Sequence, residues 1–489
     1  MKLRELLKNI DILDAAPGLD MDTEICGMSY DSRLTKPGDL FVAIPGLTVD
    51  GHKFIPKAME RGAAAVLCQQ PHAGCPYVQV ADCRLALALC SAAFYGRPAD
   101  KMKMIGITGT SGKTSTTLLL KQVLESCQGA KVGLIGTNGN MIGQRSIHTE
   151  FTTPESLELH GLFRQMLDAG CTHVVMEVSS HSLTMERVAG INFDVALFTN
   201  LSQDHLDLHG TMEEYALAKA KIFSQAKEGW ADLDDARAPL MLERARCPMK
   251  GFSAENSSAE LYADDLELNA GGACFTAHAG KDSARVELKI PGLFSVYNGL
   301  AVLAVCQSLG IELSQAAQAL SMAEGVKGRM EPVKTDDDYS IVIDYSHKPD
   351  ALEKALKTLR PLTKGRLIVV FGCGGDRDKL KRPIMGRIAA QNADLVVVTS
   401  DNPRTEDPMD IIDQIVPGLV EGSAASQVIC DRREAIAWAI DKAQAGDVIL
   451  LAGKGHEDYQ VVGHERLHMD EREIIAQVLS ERNTARLKG

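Results

Sequence analysis

A glycine-rich loop followed by a Lys-Thr pair lies between an apolar stretch, residues 104–108, and a helix-forming stretch, residues 115–124. Gly109 and Gly112 would let backbone N–H groups approach an anion without an intervening Cβ. The N-terminus of the following helix would add its partial positive charge. A strand, a glycine loop, a Lys-Thr pair and a helix in this order indicate a loop that binds phosphate groups.

The side chains of this loop extend the same chemistry. Lys113 would reach the outer phosphates of a nucleotide, and the Thr114 hydroxyl would bind Mg²⁺. Gly106 lies six residues before Gly112, where the strict motif has five, so a plain strand–turn–helix is the alternative. We predict that the nucleotide phosphates are bound by Gly109, Thr110, Ser111, Gly112, Lys113, Thr114 and Ser115.

Glu177 ends a second apolar stretch, residues 172–178. A carboxylate at the end of a buried strand is costly unless it is paired or binds a metal ion. In a P-loop sheet, the C-terminal end of the neighbouring strand faces the phosphates. Glu177 is therefore predicted to bind Mg²⁺, with a structural or helix-capping acid as the alternative.

Residues 200–210, NLSQDHLDLHG, hold a dense group of histidines and aspartates. His205 and His209 are four residues apart, could share a helix face and could bind zinc. We favour a different grouping, a second divalent-ion site formed beside Glu177 by Asn200, Asp204 and His205. The next segment is an amphipathic helix that carries Lys219 and Lys221, and lysines in such helices usually lie on the solvated face.

The composition limits the class of protein. With 489 residues the chain is long enough for about three domains. A hydrophobic content of 45% and a charged content of 24% are typical of soluble globular proteins. The net charge of −13 argues against a general nucleic-acid surface but leaves room for a local basic pocket that binds an anionic small molecule.

Cysteine usage and the N-terminus indicate a compartment. The 12 cysteines include no CxxC pair, which indicates reduced thiols in a cytosolic protein. The first residues lack the continuous apolar region of a signal peptide, and the most apolar windows are too short to span a bilayer. We therefore expect a cytoplasmic protein without membrane insertion.

The first hundred residues alternate strand and helix signals and contain no catalytic constellation. The polar turn Asp31-Ser32-Arg33 precedes an apolar strand, residues 40–44. A connecting turn is favoured over a ligand-binding one, because loops are generally polar. Arg97-Pro98 marks the end of this unit, since proline stops the preceding helix.

The last third of the chain repeats a strand-then-helix pattern. Strands are predicted at residues 340–344, 367–371, 395–399 and 448–451. Their C-terminal ends carry the sequences DYSHKP, GCGGDRD, DNPR and GKGHE. Apolar strands whose C-terminal ends carry glycines and charges are typical of an open parallel sheet that binds ligands at that edge.

Together these patterns predict an α/β protein with three domains. Residues 1–101 form a small N-terminal α/β domain, residues 102–330 a central P-loop ATPase domain with a mostly parallel sheet, and residues 331–489 a C-terminal Rossmann-like open sheet. The residues favour a ligase that activates a carboxylate with ATP. The alternative is a nucleotide-gated binding protein in which ATP only drives domain closure.

The ordered motifs also carry a resemblance. They are DSRLTKPGDLFVAIPG, GITGTSGKT, TTPE, MEVSSH, FTNLSQDHLDLHG, YALAK, GLFSVYN, GRME, DYSHKPDALE, FGCGGDRDKLKRP, SDNPRTEDP and AGKGHEDYQ. In this order they resemble the Mur ligases over nearly the whole chain. The resemblance implies an ATP- and Mg²⁺-dependent amide ligase that works through an acyl phosphate in peptidoglycan precursor synthesis. The implied substrates are UDP-N-acetylmuramoyl-L-alanyl-D-glutamate and meso-2,6-diaminopimelate, and we expect a monomer.

The resemblance further implies the roles of individual residues. Contacts to the UDP-sugar-peptide are implied for Ser32, Thr152, Thr153, Ser180 and Arg187. Contacts to ATP are implied for Asn298, Arg329 and Asp344, with His347 close by. Contacts to diaminopimelate are implied for Arg377, Asp401, Asn402, Pro403, Arg404, Gly453 and Glu457. A carbamylated Lys219 is implied to bind Mg²⁺ together with Thr114, Glu177 and His205, against the surface position that the helix pattern favours.

The proposed choice of amino acid depends on the DNPR loop. Arg404 can meet the distal carboxylate of diaminopimelate with two parallel hydrogen bonds, and Lys454 and Arg377 are expected to make the pocket basic. Four positions depart from the family pattern and leave contact details open: Met185, Asp232, Ser346 and Lys348. The alternatives are a lysine-adding ligase of the same fold and a folylpolyglutamate synthase, which should lack both the DNPR loop and the first domain.

Overall fold

The computed structural model describes residues 1–46, 49–72, 74–147, 149, 151–335 and 337–488. The helices are α1 (Leu3–Leu6), α2 (Ile55–Glu60), α3 (Cys83–Phe94), α4 (Lys113–Gln128), α5 (Ser156–Asp168), α6 (Ser180–Thr184), α7 (Leu206–His209), α8 (Met212–Ala220), α9 (Ala238–Arg244), α10 (Leu293–Ser308), α11 (Leu313–Met322), α12 (Pro349–Leu359), α13 (Lys381–Asn392), α14 (Pro408–Leu419), α15 (Arg432–Lys442) and α16 (Glu471–Lys488). Short 3₁₀ turns lie at Gly51–Phe54, Pro98–Lys101, Lys221–Gln225 and Arg360–Leu362.

The strands connect these helices. They are β1 (Ile12–Ala15), β2 (Gly27–Ser29), β3 (Asp39–Val42), β4 (Ala65–Cys68), β5 (Tyr77–Val80), β6 (Lys103–Thr108), β7 (Val132–Ile135), β8 (Asn140–Ile142), β9 (Arg145–Ile147), β10 (His173–Glu177), β11 (Phe193–Phe198), β12 (Ala226–Asp232), β13 (Met249–Ser253), β14 (Leu261–Asn269), β15 (Gly272–Ala279), β16 (Asp282–Leu288), β17 (Glu331–Val333), β18 (Ser340–Asp344), β19 (Leu367–Phe371), β20 (Leu395–Val398), β21 (Ala425–Val428), β22 (Val448–Ala452), β23 (Tyr459–Val462) and β24 (Glu465–His468). The predicted α/β class with mostly parallel sheets is confirmed.

The first of two compact units comprises residues 1–262 with the short stretches 279–282 and 300–319. Its N-terminal sheet has the order β1-β5-β4-β3-β2, and only the β1–β5 pair is antiparallel. Its central sheet runs β13-β12-β11-β6-β10-β7-β8-β9. The strands from β13 to β7 are parallel, so their C-terminal ends share one edge.

The second unit comprises residues 263–278, 283–299 and 320–489. Its main sheet has the order β17-β18-β22-β19-β20-β21, in which only the edge strand β17 is antiparallel. The hairpin β23–β24 stands apart as a second sheet. The four strands predicted in this unit are confirmed, and their charged C-terminal ends meet at one edge.

Apolar periodicity explains which elements bury their side chains. The β6 residues 104–108 and all of β7, β19, β20 and β22 are buried, as expected for strands covered on both faces. In α4, Leu119 and Val123 are buried, whereas Leu118 is only partly buried. Within the described ranges, no helix combines the length and the apolar character needed to cross a membrane.

Candidate active site

The predicted phosphate loop connects β6 to α4. Gly109 and Gly112 adopt φ angles of +147° and +85°, which side chains rarely tolerate. A Cβ on Gly109 would also collide with the Thr199 hydroxyl. The Lys113 ammonium donates to the carbonyl oxygens of Gly109, at 2.8 Å, and Thr110, at 3.0 Å. The loop therefore has the backbone of a phosphate-binding turn, with its lysine folded over it.

The segment that follows β11 holds this loop in place. The side-chain amide of Asn200 accepts from the Ser111 N–H at 3.0 Å and donates to the Ser111 carbonyl at 3.2 Å. The Thr199 hydroxyl donates to the same carbonyl at 2.7 Å. The Asn200 side chain thus fixes the loop, and its predicted role as a metal ligand stays a prediction.

Glu177 lies at the end of β10, beside the first turn of α4. Its side chain is 1% exposed, yet it accepts hydrogen bonds from the hydroxyls of Thr114, at 2.9 Å, and Thr137, at 3.0 Å. The Thr137 N–H adds a third bond at 2.9 Å. The two oxygen-bearing groups predicted to bind Mg²⁺, Thr114 and Glu177, are thus in direct contact.

Lys219 is buried, and the surface position expected from the helix pattern is wrong. Its side chain is 1% exposed, its ammonium donates to the Gly109 carbonyl at 2.8 Å, and it lies 4.6 Å from the centre of the Tyr215 ring. Burial, with a further contribution from the Lys113 charge, holds the pKa of Lys219 well below its usual value. A lysine on α8 therefore reaches the phosphate loop.

The histidines of residues 200–210 lie against other rings, and His205 Nε2 lies 3.5 Å from Asp204 Oδ2. The His205 ring lies 4.7 Å from the His181 ring, and the His209 ring is stacked on Tyr215 at 5.0 Å. Among the residues that the structure describes, no group of three or more His, Cys, Asp or Glu side chains is placed to hold a metal ion. The zinc pairing of His205 with His209 and the second-ion grouping of Asn200, Asp204 and His205 stay predictions.

Four of the five residues implied to contact a UDP-sugar-peptide surround the end of β10. The Thr153 hydroxyl donates to the Glu177 carbonyl at 2.9 Å, and Arg187 donates to the Thr153 carbonyl at 3.0 Å. Thr152 shares a 3.0 Å hydrogen bond with Thr137. Ser180 begins α6, and its hydroxyl is bonded to His209 at 3.0 Å. The fifth, Ser32, is buried in the turn that follows β2.

An acidic residue that sequence reasoning missed joins the N-terminal segment to this group. Glu155 forms ion pairs with Arg84, at 3.2 Å, and with Arg187, at 3.4 Å. Glu155 is the last residue of the motif TTPE, and it caps α5. No local spacing connects it to Arg84, which lies on α3, so only the packing of α3 on α5 could reveal the pair.

In the second unit, three residues implied to contact ATP are found on α10 and at the ends of β17 and β18. Asp344 is buried, accepts from the Met330 N–H at 2.8 Å and from the Ser346 hydroxyl, and its pKa is raised, mainly by burial. The Arg329 guanidinium lies 5.1 Å from the centre of the Tyr345 ring. Asn298 is buried on α10.

The predicted amino-acid loops lie after β19, β20 and β22. Arg404 donates to the Gly375 carbonyl at 2.9 Å, and its own N–H donates to the Val461 carbonyl at 3.0 Å. Arg404 forms no ion pair with a carboxylate in the described parts of the chain. The hairpin β23–β24, which the sequence did not predict, thus positions a guanidinium whose charge is available to an anion.

The other predicted members of this site differ in exposure. Asp401 is buried and its Oδ2 has no hydrogen-bond partner among the described residues. Gly453 has φ +119°, and a Cβ there would lie 2.6 Å from that oxygen. Pro403 is buried, whereas Arg377 is exposed and donates to the Asp376 carbonyl at 3.0 Å.

Lys454 has a different role from the one expected. It is fully buried, and its ammonium donates to Asn402 Oδ1 and Glu457 Oε2, each at 2.9 Å. The expectation that its charge makes the pocket basic is therefore wrong, because the charge is already paired with Glu457.

Three family models match consecutive parts of the chain. They are described as the Mur ligase family catalytic domain (residues 24–95), the Mur ligase middle domain (107–306) and the Mur ligase glutamate ligase domain (328–455). A protein of Caldanaerobacter subterraneus subsp. tengcongensis is 46% identical over 486 residues, which cover 98% of this chain and 99% of that one. The chain belongs to the Mur ligase family.

Several relatives of this Mur ligase share one name. The Caldanaerobacter protein is called UDP-N-acetylmuramoyl-L-alanyl-D-glutamate--2,6-diaminopimelate ligase, as is a Geobacillus thermodenitrificans protein that is 43% identical over 99% of this chain and all of its own length. A solved structure of that name matches with a TM-score of 0.77 and 33% identity over 99% of both chains. The predicted family is thus confirmed.

A more distant structure shares only the fold of this Mur ligase. A Mycobacterium tuberculosis folylpolyglutamate synthase matches with a TM-score of 0.58 and 19% identity, over 76% of this chain and 92% of its own.

Proposed function

We propose that this chain is an ATP-dependent, ADP-forming ligase that joins meso-2,6-diaminopimelate to UDP-N-acetylmuramoyl-L-alanyl-D-glutamate. The observation that carries the proposal is the 46% identity over 98% of the chain to a ligase with these substrates in its name. The product would be a peptidoglycan precursor. The P-loop, the group at the end of β10 and the DNPR loop each supply a set of contacts suited to one substrate.

The P-loop is the proposed ATP site. Its backbone N–H groups and Lys113 would bind the phosphates, with the helix N-terminus of α4 adding positive potential. In the second unit, Asn298, Arg329 and Asp344 are the proposed contacts to the rest of the nucleotide. Asp344 is buried, hydrogen-bonded by Met330 and available to accept from hydroxyl groups.

A Mg²⁺ ion suits the oxygen ligands that lie beside the P-loop. Thr114 and Glu177 are in hydrogen-bond contact, which places a hydroxyl and a carboxylate together beside the loop. Lys219 is buried beside the same loop, and as a carbamate it would add a third oxygen ligand and a second anionic one. When bound, Mg²⁺ would neutralise phosphate charge as the phosphoryl group is transferred.

The proposed acceptor site for the UDP-sugar-peptide comprises Ser32, Thr152, Thr153, Ser180 and Arg187. Hydroxyls and a guanidinium suit diphosphate and carboxylate groups. Arg187 is already oriented by Glu155 and by the Thr153 carbonyl. Because Thr153 also bonds to Glu177 through the β10 carbonyl, the acceptor carboxylate would be bound next to the metal and phosphate residues.

The chemistry proceeds in two steps. A glutamate carboxylate oxygen of the acceptor attacks the terminal phosphorus of ATP, which releases ADP and forms an acyl phosphate. The amine of diaminopimelate then attacks the acyl carbon, phosphate leaves and an amide bond forms. Lys113 stabilises charge that develops on the transferred phosphoryl group, which is the type of interaction that contributes most to such reactions.

The experiment measures ADP release by the purified chain while each substrate is omitted in turn. We expect ADP and tripeptide product in equal amounts only when ATP, Mg²⁺, the UDP-dipeptide and diaminopimelate are all present. ADP release that is independent of diaminopimelate and yields no amide product would favour the nucleotide-gated binding protein instead.

A lysine-adding ligase of the same fold is the second candidate. Arg404 argues against this candidate. The Gly375 carbonyl accepts from its guanidinium, the β23–β24 hairpin accepts from its backbone N–H, and the guanidinium has no ion-pair partner in the described chain. Lysine lacks the distal carboxylate that this charge would bind. We further propose a cytoplasmic monomer with domain boundaries at residues 101/102 and 330/331, which light scattering and limited proteolysis can test.

A further inference from the structure

A fully buried lysine links two loops of the second unit. β20 and β22 lie on either side of β19 in the sheet, and each is followed by a loop of the proposed diaminopimelate site. Lys454 follows β22, and its ammonium donates across to Asn402, which follows β20, and to Glu457 in its own loop. A buried ammonium is costly without partners, so these bonds constrain all three side chains.

The network fixes which way the Asn402 amide points. Its Oδ1 faces two donors, the Lys454 ammonium at 2.9 Å and the Val461 N–H at 2.9 Å. Its Nδ2 donates to Glu457 Oε2 at 2.9 Å. If the amide were flipped, its NH₂ group would face the two donors and its oxygen would face the Glu457 carboxylate. Only the observed orientation therefore satisfies the surrounding groups.

Two polar groups of Asn402 and Glu457 take no part in these hydrogen bonds. They are the second N–H of Asn402 Nδ2, which can donate to a carboxylate, and Glu457 Oε1, which can accept from an ammonium. Arg404, two residues after Asn402, brings a guanidinium with no ion-pair partner among the described carboxylates. A donor pair and an acceptor at one site suit the carboxylate and ammonium of an amino-acid zwitterion.

We infer that Lys454 is a positioning residue which, by holding Asn402 and Glu457, sets selectivity for an amino acid with a zwitterionic distal end. The inference rests on the proposed function and adds a residue to which no contact with substrate is assigned. Lys454 acts through its neighbours, since its own charge is satisfied and it is fully buried.

Removing the ammonium changes both recognition groups. Without it, Glu457 loses its cationic partner and keeps only the Asn402 Nδ2 donor. Asn402 Oδ1 loses one of its two donors and keeps the Val461 N–H. Binding of the distal carboxylate should weaken, whereas a bare ammonium would meet a more negative Glu457. The preference for diaminopimelate over L-lysine should therefore fall.

The test compares wild-type enzyme with Lys454→Met, which keeps chain length and apolar volume, and with Lys454→Gln, which keeps one donor. Lys379→Met is the matched control, because Lys379 is exposed and pairs with Glu406 at 3.2 Å on a neighbouring loop. Steady-state kinetics are measured with meso-diaminopimelate, L-lysine and ATP varied separately, and thermal unfolding is recorded for every variant.

We expect Lys454→Met to raise the KM for diaminopimelate about ten- to a hundredfold, as for loss of charged hydrogen bonds. The KM for ATP and the melting temperature should change little, and Lys454→Gln should be intermediate. A double variant with Glu457→Gln should lose less than the sum of the two single effects.

Two results would overturn the inference. One is a folded Lys454→Met enzyme with unchanged KM and unchanged preference for diaminopimelate over lysine. The other is an equal loss in kcat, ATP use and stability in both variants, which would assign Lys454 to the fold alone. Failure of the wild-type enzyme to use diaminopimelate would instead contradict the proposed function, so the two failures are distinguishable.

Discussion

Lys113 and Lys219 donate to the same acceptor, the carbonyl oxygen of Gly109, at 2.8 Å each. Two ammonium groups that share one oxygen repel each other; Lys219 is buried and Lys113 is partly buried. The pKa of each lysine is lowered, chiefly by burial, and the Lys113 charge adds to the effect at Lys219. Ligand phosphates would give Lys113 a stronger partner than this carbonyl.

The first prediction concerns Lys113. Lys113→Ala should lower ligation on the order of a hundred- to a thousandfold or more, because a charged donor to the transferred phosphoryl group is lost. Product formation is measured by chromatography, with circular dichroism as a check of folding. Lys103→Ala, an exposed lysine at the opposite end of β6, is the control and should retain activity. Near wild-type turnover in Lys113→Ala would remove the proposed nucleotide site.

The second prediction concerns Lys219. If its carbamate is a metal ligand, Lys219→Ala should be nearly inactive and should regain part of its activity with added short carboxylates such as acetate. Lys221→Ala is the matched control, since Lys221 lies two residues away and its side chain is 50% exposed. Full activity of Lys219→Ala without any carboxylate would show that the buried amine has no role in catalysis.

The third prediction concerns Arg404. The wild-type enzyme should use meso-diaminopimelate and very little L-lysine, with a discrimination on the order of a hundredfold or more, because lysine leaves the guanidinium without an anion. Arg404→Ala should reduce diaminopimelate use far more than ATP binding, and the exposed Arg433→Ala should be neutral. Equal catalytic efficiency with the two amino acids would contradict the specificity and leave the ligase activity standing.

The fourth prediction concerns Asp232, which is 6% exposed at the end of β12. Burial, together with the nearby Asp234, Asp235 and Glu255, raises the pKa of its carboxyl from 3.8 to about 7. The folded state therefore binds a proton more readily than the unfolded state, and its stability falls as the pH rises from about 4 to about 7.

Asp232→Asn should remove this pH dependence. We expect the variant to be more stable than wild type at pH 8, by about 2 kcal/mol, and equally stable near pH 4. Urea unfolding at several pH values measures the difference, and Asp282→Asn, at the exposed start of β16, is the control. Parallel stability profiles for Asp232→Asn and wild type would show that Asp232 is ionised in the folded state.

Much of the fold was predicted because its signals are local. The strands β18 and β19 have the predicted bounds, since each combines a strong apolar pattern with charged or glycine-rich residues after it. β17 and β21 were missed for a physical reason. β17 is an edge strand that contains Pro332, and β21 is exposed throughout, so neither has the apolar pattern of a buried strand.

The sequence by itself determined the phosphate loop, the parallel sheets and the loops at their C-terminal ends, because glycine conformation, helix termini and strand burial depend on adjacent residues. The tertiary structure alone decided that Lys219 is buried, that Lys454 is paired with Glu457, and that Asn200 fixes the P-loop. These properties depend on partners far along the chain, such as Gly109 for Lys219, at a separation of 110 residues. Burial and ion pairing are properties of the space around a side chain, and that space is formed only when distant segments pack together.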